Sequence, residues 1–220
     1  GISCLEAGHW VYQYDLSLAL FNASAEVQYC NGKFEKMESL VNEVFDNAKS
    51  FDDKIRCYTS HVFALGAQQR FQEAIDTGLY VLGQLGTRFP ARPRKIYSIV
   101  AVLKTKRMLR GKTADDILRL PLMTDPRKLA TVHILNLIAL YVFFTRQAFM
   151  PLITTHFVRT TLESGLSGFG ASGFGYFAML TCGVLGDIDG GYLYSKIALR
   201  LLEKFHAKSY VARVYTPVYG

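Results

Sequence analysis

The feature that most constrains this chain is a helix–turn–helix pattern that occurs twice between residues 29 and 86. In each copy a short polar turn is followed by a phenylalanine, Phe34 in the first and Phe71 in the second, 37 residues apart. After each phenylalanine the apolar residues recur at spacings of three and four, as they do on one face of a helix. The pattern therefore predicts two consecutive helix hairpins.

The spacing of the two copies predicts the class of fold. A repeat of this length, built from a helix, a tight turn and a second helix, is typical of tetratricopeptide-like arrays. Neither helix of such a pair buries its apolar face alone, so the pairs stack on their neighbours. A third pair is indicated around Leu185-Gly186-Asp187, where Ile188 takes the place of the phenylalanines. We expect an all-α protein of stacked antiparallel helix hairpins, an α-solenoid, with more helix than the roughly one third of average domains.

Turn-forming and apolar segments divide the chain into three stretches. Residues 1–88 carry the two helix hairpins, residues 89–128 a linker with further helices, and residues 129–220 an apolar central helix with further repeats. The clearest break is the stiff segment Phe89-Pro90-Ala91-Arg92-Pro93. Since repeat arrays need polar caps and neither end carries one, we expect one helical-repeat region that is a fragment of a longer chain.

Capping residues predict three helix starts. Ser50 with Asp53 has the spacing of a capping box, with Asp in place of the usual Glu. Thr113 can cap a short helix from Ala114, and Asp125 is an N-cap followed by Pro126 at the first helical position.

Two further predictions concern the ends of the sequence. The segment from His9 to Gln28 has the pattern of a single helix, closed at Asn31-Gly32. The segment from Tyr210 to Tyr219 alternates weakly and is predicted to be extended or to begin another element.

Positive charge is concentrated in one block. The formal net charge is +7, and no acidic residue lies between Asp76 and Asp115. Such a block attracts an acidic protein surface, a phosphate or a nucleic acid, and the alternative is a solvated helix face beside a basic linker. No nucleic-acid motif or interleaved aromatic pattern accompanies the charges, so a protein partner is expected and a nucleic acid is not. The candidate protein-contact residues are Arg88, Arg92, Arg94, Lys95, Lys104, Arg107, Arg110 and Lys112.

The spacing of cysteine and histidine predicts no metal site. The four cysteines form no Cys-x-x-Cys pair, which argues against zinc and against a disulfide framework and suits the reducing cytoplasm. The five histidines show no metal-binding spacing. Asp187 and Asp189 resemble the first ligands of a calcium loop, but the later acidic ligands are missing, so a turn is expected.

One glycine motif resembles a nucleotide site only by its letters. Gly168-Phe169-Gly170-Ala171-Ser172-Gly173 fits the dinucleotide-binding pattern, whose chemistry requires a preceding strand. A helix is predicted there instead, so we expect small residues that let two helices approach closely. No nucleophile motif, phosphate loop or pair of apolar-flanked carboxylates occurs, and no catalytic residue or cofactor is assigned.

The most apolar run of the chain extends from Leu129 to Thr145. A membrane span needs about 20 residues. This run has 17, is closed by Arg146 and contains His133 and Asn136. We therefore expect a central buried helix and no membrane span.

Several phrases, in the same order along nearly the whole chain, resemble one protein family. They resemble the helical region that follows the ATPase core in very large predicted ATPases fused to signalling modules. The most specific phrase is the linker Leu120-Pro121 with Met123-Thr124-Asp125-Pro126. The others are His9-Trp10 with Tyr14 and Asp15, Tyr29-Cys30-Asn31-Gly32-Lys33-Phe34, Glu73-Ala74-Ile75 with Leu82-Gly83-Gln84-Leu85-Gly86, Leu162-Glu163-Ser164-Gly165, and Leu185-Gly186-Asp187 with Ala198-Leu199.

The resemblance implies where the chemistry lies. Proteins of that family typically carry a serine/threonine kinase domain in front and a GAF plus histidine kinase or cyclase region behind. Kinase and ATPase activity would then lie outside these residues, and this segment would be a non-catalytic scaffold in contact with the adjoining ATPase and kinase modules. The other function class is a stand-alone α-helical enzyme or membrane-associated protein with an unrecognised site.

Overall fold

The structure, a computed structural model, describes residues 1–219, and 78% of the chain is helical. Among these residues there is no β-strand, and an isolated bridge joins Leu122 to Leu166. The prediction of an all-α protein with high helix content is therefore confirmed. The chain divides into two compact units, one from Gly1 to Gln84 and one that begins at Leu85.

The first unit contains two helix hairpins after a short N-terminal helix. The second and third helices form one hairpin and the fourth and fifth form the other, and the fourth helix packs against both helices of the first hairpin. The core between them is built from aliphatic and sulfur-containing side chains such as Met37, Val41 and Cys57. The helices are α1 (His9–Tyr12), α2 (Tyr14–Cys30), α3 (Phe34–Asn47), α4 (Phe51–Ala67) and α5 (Phe71–Gln84).

The two turns agree with the duplicated pattern. Gly32 adopts a φ of 68° after α2, and Gln69 adopts a φ of 60° at the corresponding place after α4. Phe34 and Phe71 are the first residues of α3 and α5 and are partly buried. Each hairpin thus turns through a left-handed residue, and the N–H groups of the turn donate to carbonyls at the end of the preceding helix, for example Lys33 N–H to Gln28 O and Arg70 N–H to Leu65 O, both at 2.9 Å.

Side-chain caps fix several helix starts at the predicted positions. Ser50 Oγ accepts from the Asp53 N–H at 3.2 Å, and Asp53 Oδ2 accepts from the Ser50 N–H at 3.1 Å, which completes the predicted capping box of α4. Tyr14 donates to the same carboxylate at 2.7 Å and ties α2 to this turn. This hydrogen bond is the main cause that holds the pKa of Asp53 below its usual range.

The prediction of a single helix from His9 to Gln28 is wrong. The helix is interrupted at Gln13, whose φ of −134° and ψ of 44° are not helical, so α1 and α2 are separate. The Ser17 hydroxyl donates to the Gln13 carbonyl at 2.8 Å and lies 2.9 Å from His9 Nδ1. Such side-chain bonds offer the backbone an alternative to the regular helix ladder.

The second unit is organised around one helix, α10, which packs against α8, α9, α11 and α12. Helix α6 packs on α9, and the short α7 packs on α11. Large side chains of α10 and α11, among them Phe174, Phe177, Ile197 and Leu201, form the core. The helices are α6 (Lys95–Leu109), α7 (Ala114–Leu118), α8 (Pro126–Thr145), α9 (Met150–Ser164), α10 (Gly170–Gly183), α11 (Ile188–Lys204) and α12 (Val211–Tyr219).

The end of the described chain takes one of the two predicted forms. The segment from Tyr210 to Tyr219 was predicted to be extended or to begin another element, and Val211–Tyr219 forms a further element, helix α12. Val211, Val214 and Val218 are spaced by three and four and pack against the core of the unit. This spacing, rather than the weak alternation, decides the structure because it places all three valines on one helical face.

Helix α8 is longer than its apolar run suggested. Because it begins at Pro126, with Asp125 as its cap, it has 20 residues and is long and apolar enough to cross a membrane by length and composition. The prediction that this segment is too short to span a membrane is therefore wrong. However, 56% of its most apolar 18-residue window is buried inside the protein, as expected for a core helix.

The glycine-rich segment before and within α10 is a packing surface. It follows α9, with no strand before it, and Gly173 faces the ring of Phe157 on α9. A Cβ at Gly173 would lie 2.8 Å from that ring. The absence of a side chain at Gly173 therefore lets α9 and α10 approach closely, as the sequence predicted for this motif.

His156 on α9 gives the fold a pH dependence. Burial lowers the pKa of its imidazole to about 4 from an ordinary value of 6.5, and Thr87 Oγ1 lies 3.1 Å from its Nε2. The unfolded chain binds this proton more readily, so His156 costs stability as the pH falls from 6.5 toward 4. Between about pH 7 and pH 5.5 this loss is about 1 kcal/mol.

The His156→Gln variant tests this dependence, because glutamine keeps a hydrogen-bonding group beside Thr87 and does not titrate. The free energy of unfolding of both proteins is measured by urea denaturation at pH 7 and at pH 5.5. We expect the decrease between the two pH values to be about 1 kcal/mol smaller for the variant than for the wild type. Equal pH slopes for the two proteins would contradict the burial of a neutral imidazole.

Candidate functional site

The eight candidate contact residues are all exposed. Arg88, Arg92 and Arg94 lie in the segment before α6. Helix α6 carries Lys95, Lys104 and Arg107, and Arg110 and Lys112 follow its end. Within residues 1–219 no salt bridge joins any of the eight to a carboxylate. Their charges therefore face solvent.

The structure brings three of these cations together at the end of α6. Arg107, Arg110 and Lys112 surround an open cleft of about 840 Å³, whose other wall is formed by Leu193 and Tyr194 of α11. The arginines that precede α6 do not line this cleft.

A neighbouring lysine explains how the cleft keeps its shape. Lys106 Nζ donates to Asp187 Oδ2 at 2.6 Å, and Asp187 also accepts from the Gly190 N–H at 2.9 Å at the start of α11. These bonds, the Lys106 bond first, hold the pKa of Asp187 below its usual range. Asp187 thus caps a helix and joins α6 to α11, which supports the turn interpretation of this segment.

Interaction with the helix dipole explains the position of only some of the cations on α6. Cations in the last turn of a helix interact favourably with its dipole, which suits Lys106 and Arg107. Lys95 is the first residue of α6, where a cation is unfavourable, and no acidic residue lies in that first turn. The charge at the start of α6 therefore has no stabilising role within the helix.

An exposed apolar stripe on α6 was missed by the sequence analysis. Its aliphatic side chains are more than half exposed, for example 56% at Ile96 and 62% at Leu103. Exposed apolar residues in a contiguous patch mark interaction sites, whereas single ones are ordinary. The members of this α6 stripe are Ile96, Tyr97, Ile99, Val100 and Leu103.

The geometry of the helix makes the stripe continuous. Ile96, Val100, Leu103 and Arg107 are separated by four, three and four residues, so they share one face about 16 Å long. The buried residues Val102, Thr105 and Leu109 occupy the opposite face, toward the core. Helix α6 is thus apolar on two sides, as a helix buried between two partners would be. The signal was present in the sequence as two interleaved sets of residues at helical spacing.

Comparisons with known proteins identify no relative from which a function could be inferred. No protein-family model, curated protein or solved structure matches the chain. The resemblance to the helical region of large ATPases therefore stays an expectation. The α6 stripe with its rim of cations is the strongest candidate contact surface among the described residues.

Proposed function

We propose that this chain is a non-catalytic helical scaffold whose α6 surface docks an acidic amphipathic helix of another protein module. The observation that carries the proposal is the α6 stripe, an apolar face at helical spacing that remains exposed on a folded helix. Helix recognition uses anchors at i, i+3, i+4 and i+7 in this way. Ile96, Ile99, Val100 and Leu103 provide that spacing.

Charge identifies the occupant. Helix α6 contains no acidic residue, and Lys95, Lys104 and Arg107 flank the stripe with their charges exposed. A partner helix with carboxylates beside its apolar face would be attracted over about 10 Å at moderate salt, and rim charges of this kind mainly raise the rate of association. Burial of each aliphatic side chain would add roughly 1.5–3 kcal/mol at full burial.

The packing of the first unit supports the scaffold part of the proposal. Helix α4 contacts both helices of the preceding hairpin, which is the neighbour contact that a tetratricopeptide-like array requires. In this proposal the hairpins continue as a stacked α-solenoid in a cytoplasmic multidomain protein. The partners would be the adjoining ATPase and kinase modules that the resemblance implies.

A basic amphipathic helix can also bind a membrane surface. The test therefore distinguishes an acidic partner helix from an anionic membrane. The probe is a designed acidic amphipathic peptide, followed by fluorescence anisotropy, and vesicles with anionic lipid are the competing ligand. The double variant Val100→Ser with Leu103→Ser is expected to bind the peptide at least about tenfold more weakly, because it removes two apolar anchors. The matched control is Val27→Ser, at a residue of α2 that is 54% exposed.

A charge variant tests the rim separately. Lys104→Glu with Arg107→Glu is expected to weaken peptide binding and to remove its decrease with rising salt. Unchanged affinity in both double variants would contradict the proposal. Binding to anionic vesicles through the stripe, without binding to the peptide, would identify a membrane surface instead and would also contradict it.

A further inference from the structure

An apolar cavity lies between α8, α10 and α12 and shares no residue with the α6 stripe or with the cleft at the end of α6. Its volume is about 160 Å³. Apolar side chains of α8 and α10 form most of the wall, and α12 contributes Arg213 and Thr216. The apolar wall includes Leu140, Phe143, Phe144 and Met179.

Arg213 is the unusual member of this wall. Its side chain is partly buried, and its Nη1 donates to the Asn136 carbonyl at 2.5 Å. Within residues 1–219 it makes no salt bridge. A guanidinium has five N–H donors, and a cation beside apolar walls without a counter-ion is costly. The cavity therefore presents donors and positive charge that no carboxylate of the described chain satisfies.

Tyr176 adds a second donor to the same cavity. It lines the wall from α10, and its hydroxyl makes no hydrogen bond within residues 1–219. Burial raises the pKa of this tyrosine, so the hydroxyl stays protonated near neutral pH. The cavity thus combines an apolar interior with two side chains that suit an oxyanion.

We infer that this cavity binds a small amphipathic carboxylate, with its apolar part between α8 and α10 and its carboxylate on Arg213. A cavity of about 150 Å³ lined by apolar side chains holds a benzene-sized molecule, so the apolar part has roughly that size. A guanidinium matches a carboxylate with two parallel hydrogen bonds, which distinguishes the acid from a neutral analogue. The inference is independent of the docking function proposed for α6.

The probe for this site is 4-fluorobenzoate, with binding followed by fluorine NMR. The neutral analogue 4-fluorobenzamide has the same ring and nearly the same shape. The acid is expected to bind at least about tenfold more tightly than the amide, because hydrogen bonds to charged groups contribute about 1.5–3 kcal/mol. Equal binding of the two probes, or no binding of the acid up to about 10 mM, would overturn the inference.

Two variants locate the binding on Arg213. Arg213→Gln keeps a donor near the Asn136 carbonyl and removes the charge, and it is expected to weaken 4-fluorobenzoate binding at least about tenfold. Ala212→Phe fills the exposed edge of the cavity, retains Arg213 and is expected to abolish binding of both probes. Arg119→Gln, at an exposed arginine outside the cavity, is the control for charge alone. If the acid binds Ala212→Phe as tightly as the wild type, the cavity is not the site, whatever the Arg213 variant does.

Discussion

The free energy of unfolding is expected to fall by about 3–5 kcal/mol when Phe157 is replaced by alanine. Phe157 lies on α9, is fully buried, and packs its ring on α10 at Gly173, which has no side chain. Removal of the ring leaves a cavity at this contact, and the backbone of α10 cannot fill it. Urea denaturation followed by circular dichroism measures the loss.

The matched control is Tyr192→Ala in the same unit. Tyr192 lies on α11 and is 71% exposed, so its truncation is expected to change the free energy of unfolding by less than about 1 kcal/mol. A similarly small loss for Phe157→Ala would show that α9 and α10 do not pack as described.

The second large effect is expected at Gly165, whose replacement by alanine should cost about 3 kcal/mol. Its φ of 106° is unfavourable for any residue with a side chain. A Cβ there would also lie 2.5 Å from the Pro121 oxygen and 2.9 Å from the Met123 nitrogen. The same two atoms form the hydrogen bonds that join the linker before α8 to the end of α9. Leu166 N–H donates to Pro121 O at 2.7 Å, and Met123 N–H donates to Leu166 O at 2.8 Å.

Two other glycines separate the causes of that loss. Gly111 has a φ of 73° but open space around its Cβ position, so Gly111→Ala should show the backbone cost alone, about 1 kcal/mol. Gly183 has neither a positive φ nor a close neighbour, and Gly183→Ala should be neutral or stabilising by up to about 1 kcal/mol. If Gly165→Ala costs no more than Gly111→Ala in urea denaturation, the close approach of the linker is contradicted.

The sequence predicted the features that depend on neighbouring residues. The capping serines, threonines and aspartates act within three residues, and so Ser50, Thr113 and Asp125 were found at the starts of α4, α7 and α8. Contacts between distant segments were not predicted. The bridge between Leu122 and Leu166 joins residues 44 positions apart, and no local pattern indicates that they are partners.

The candidate site was predicted in part. The sequence showed the basic block. It did not show that three of the cations line a cleft at the end of α6 and that the arginines before α6 lie outside it, because the other wall of the cleft belongs to α11. The α6 stripe has the same helical spacing as the buried face of α6. Only the packing of α6 on α9 decides which of the two faces is covered.

The most direct test of the docking function is to observe the α6 stripe itself during binding. Methyl NMR spectra of the protein, recorded as the acidic amphipathic peptide is added, report on each apolar side chain separately. The account predicts saturating shifts for the methyl groups of Ile96, Ile99, Val100 and Leu103, with no comparable shift for the exposed Val27 or Ile188. If the stripe methyl groups do not shift while the peptide binds, or if no peptide binds, α6 is not the docking surface.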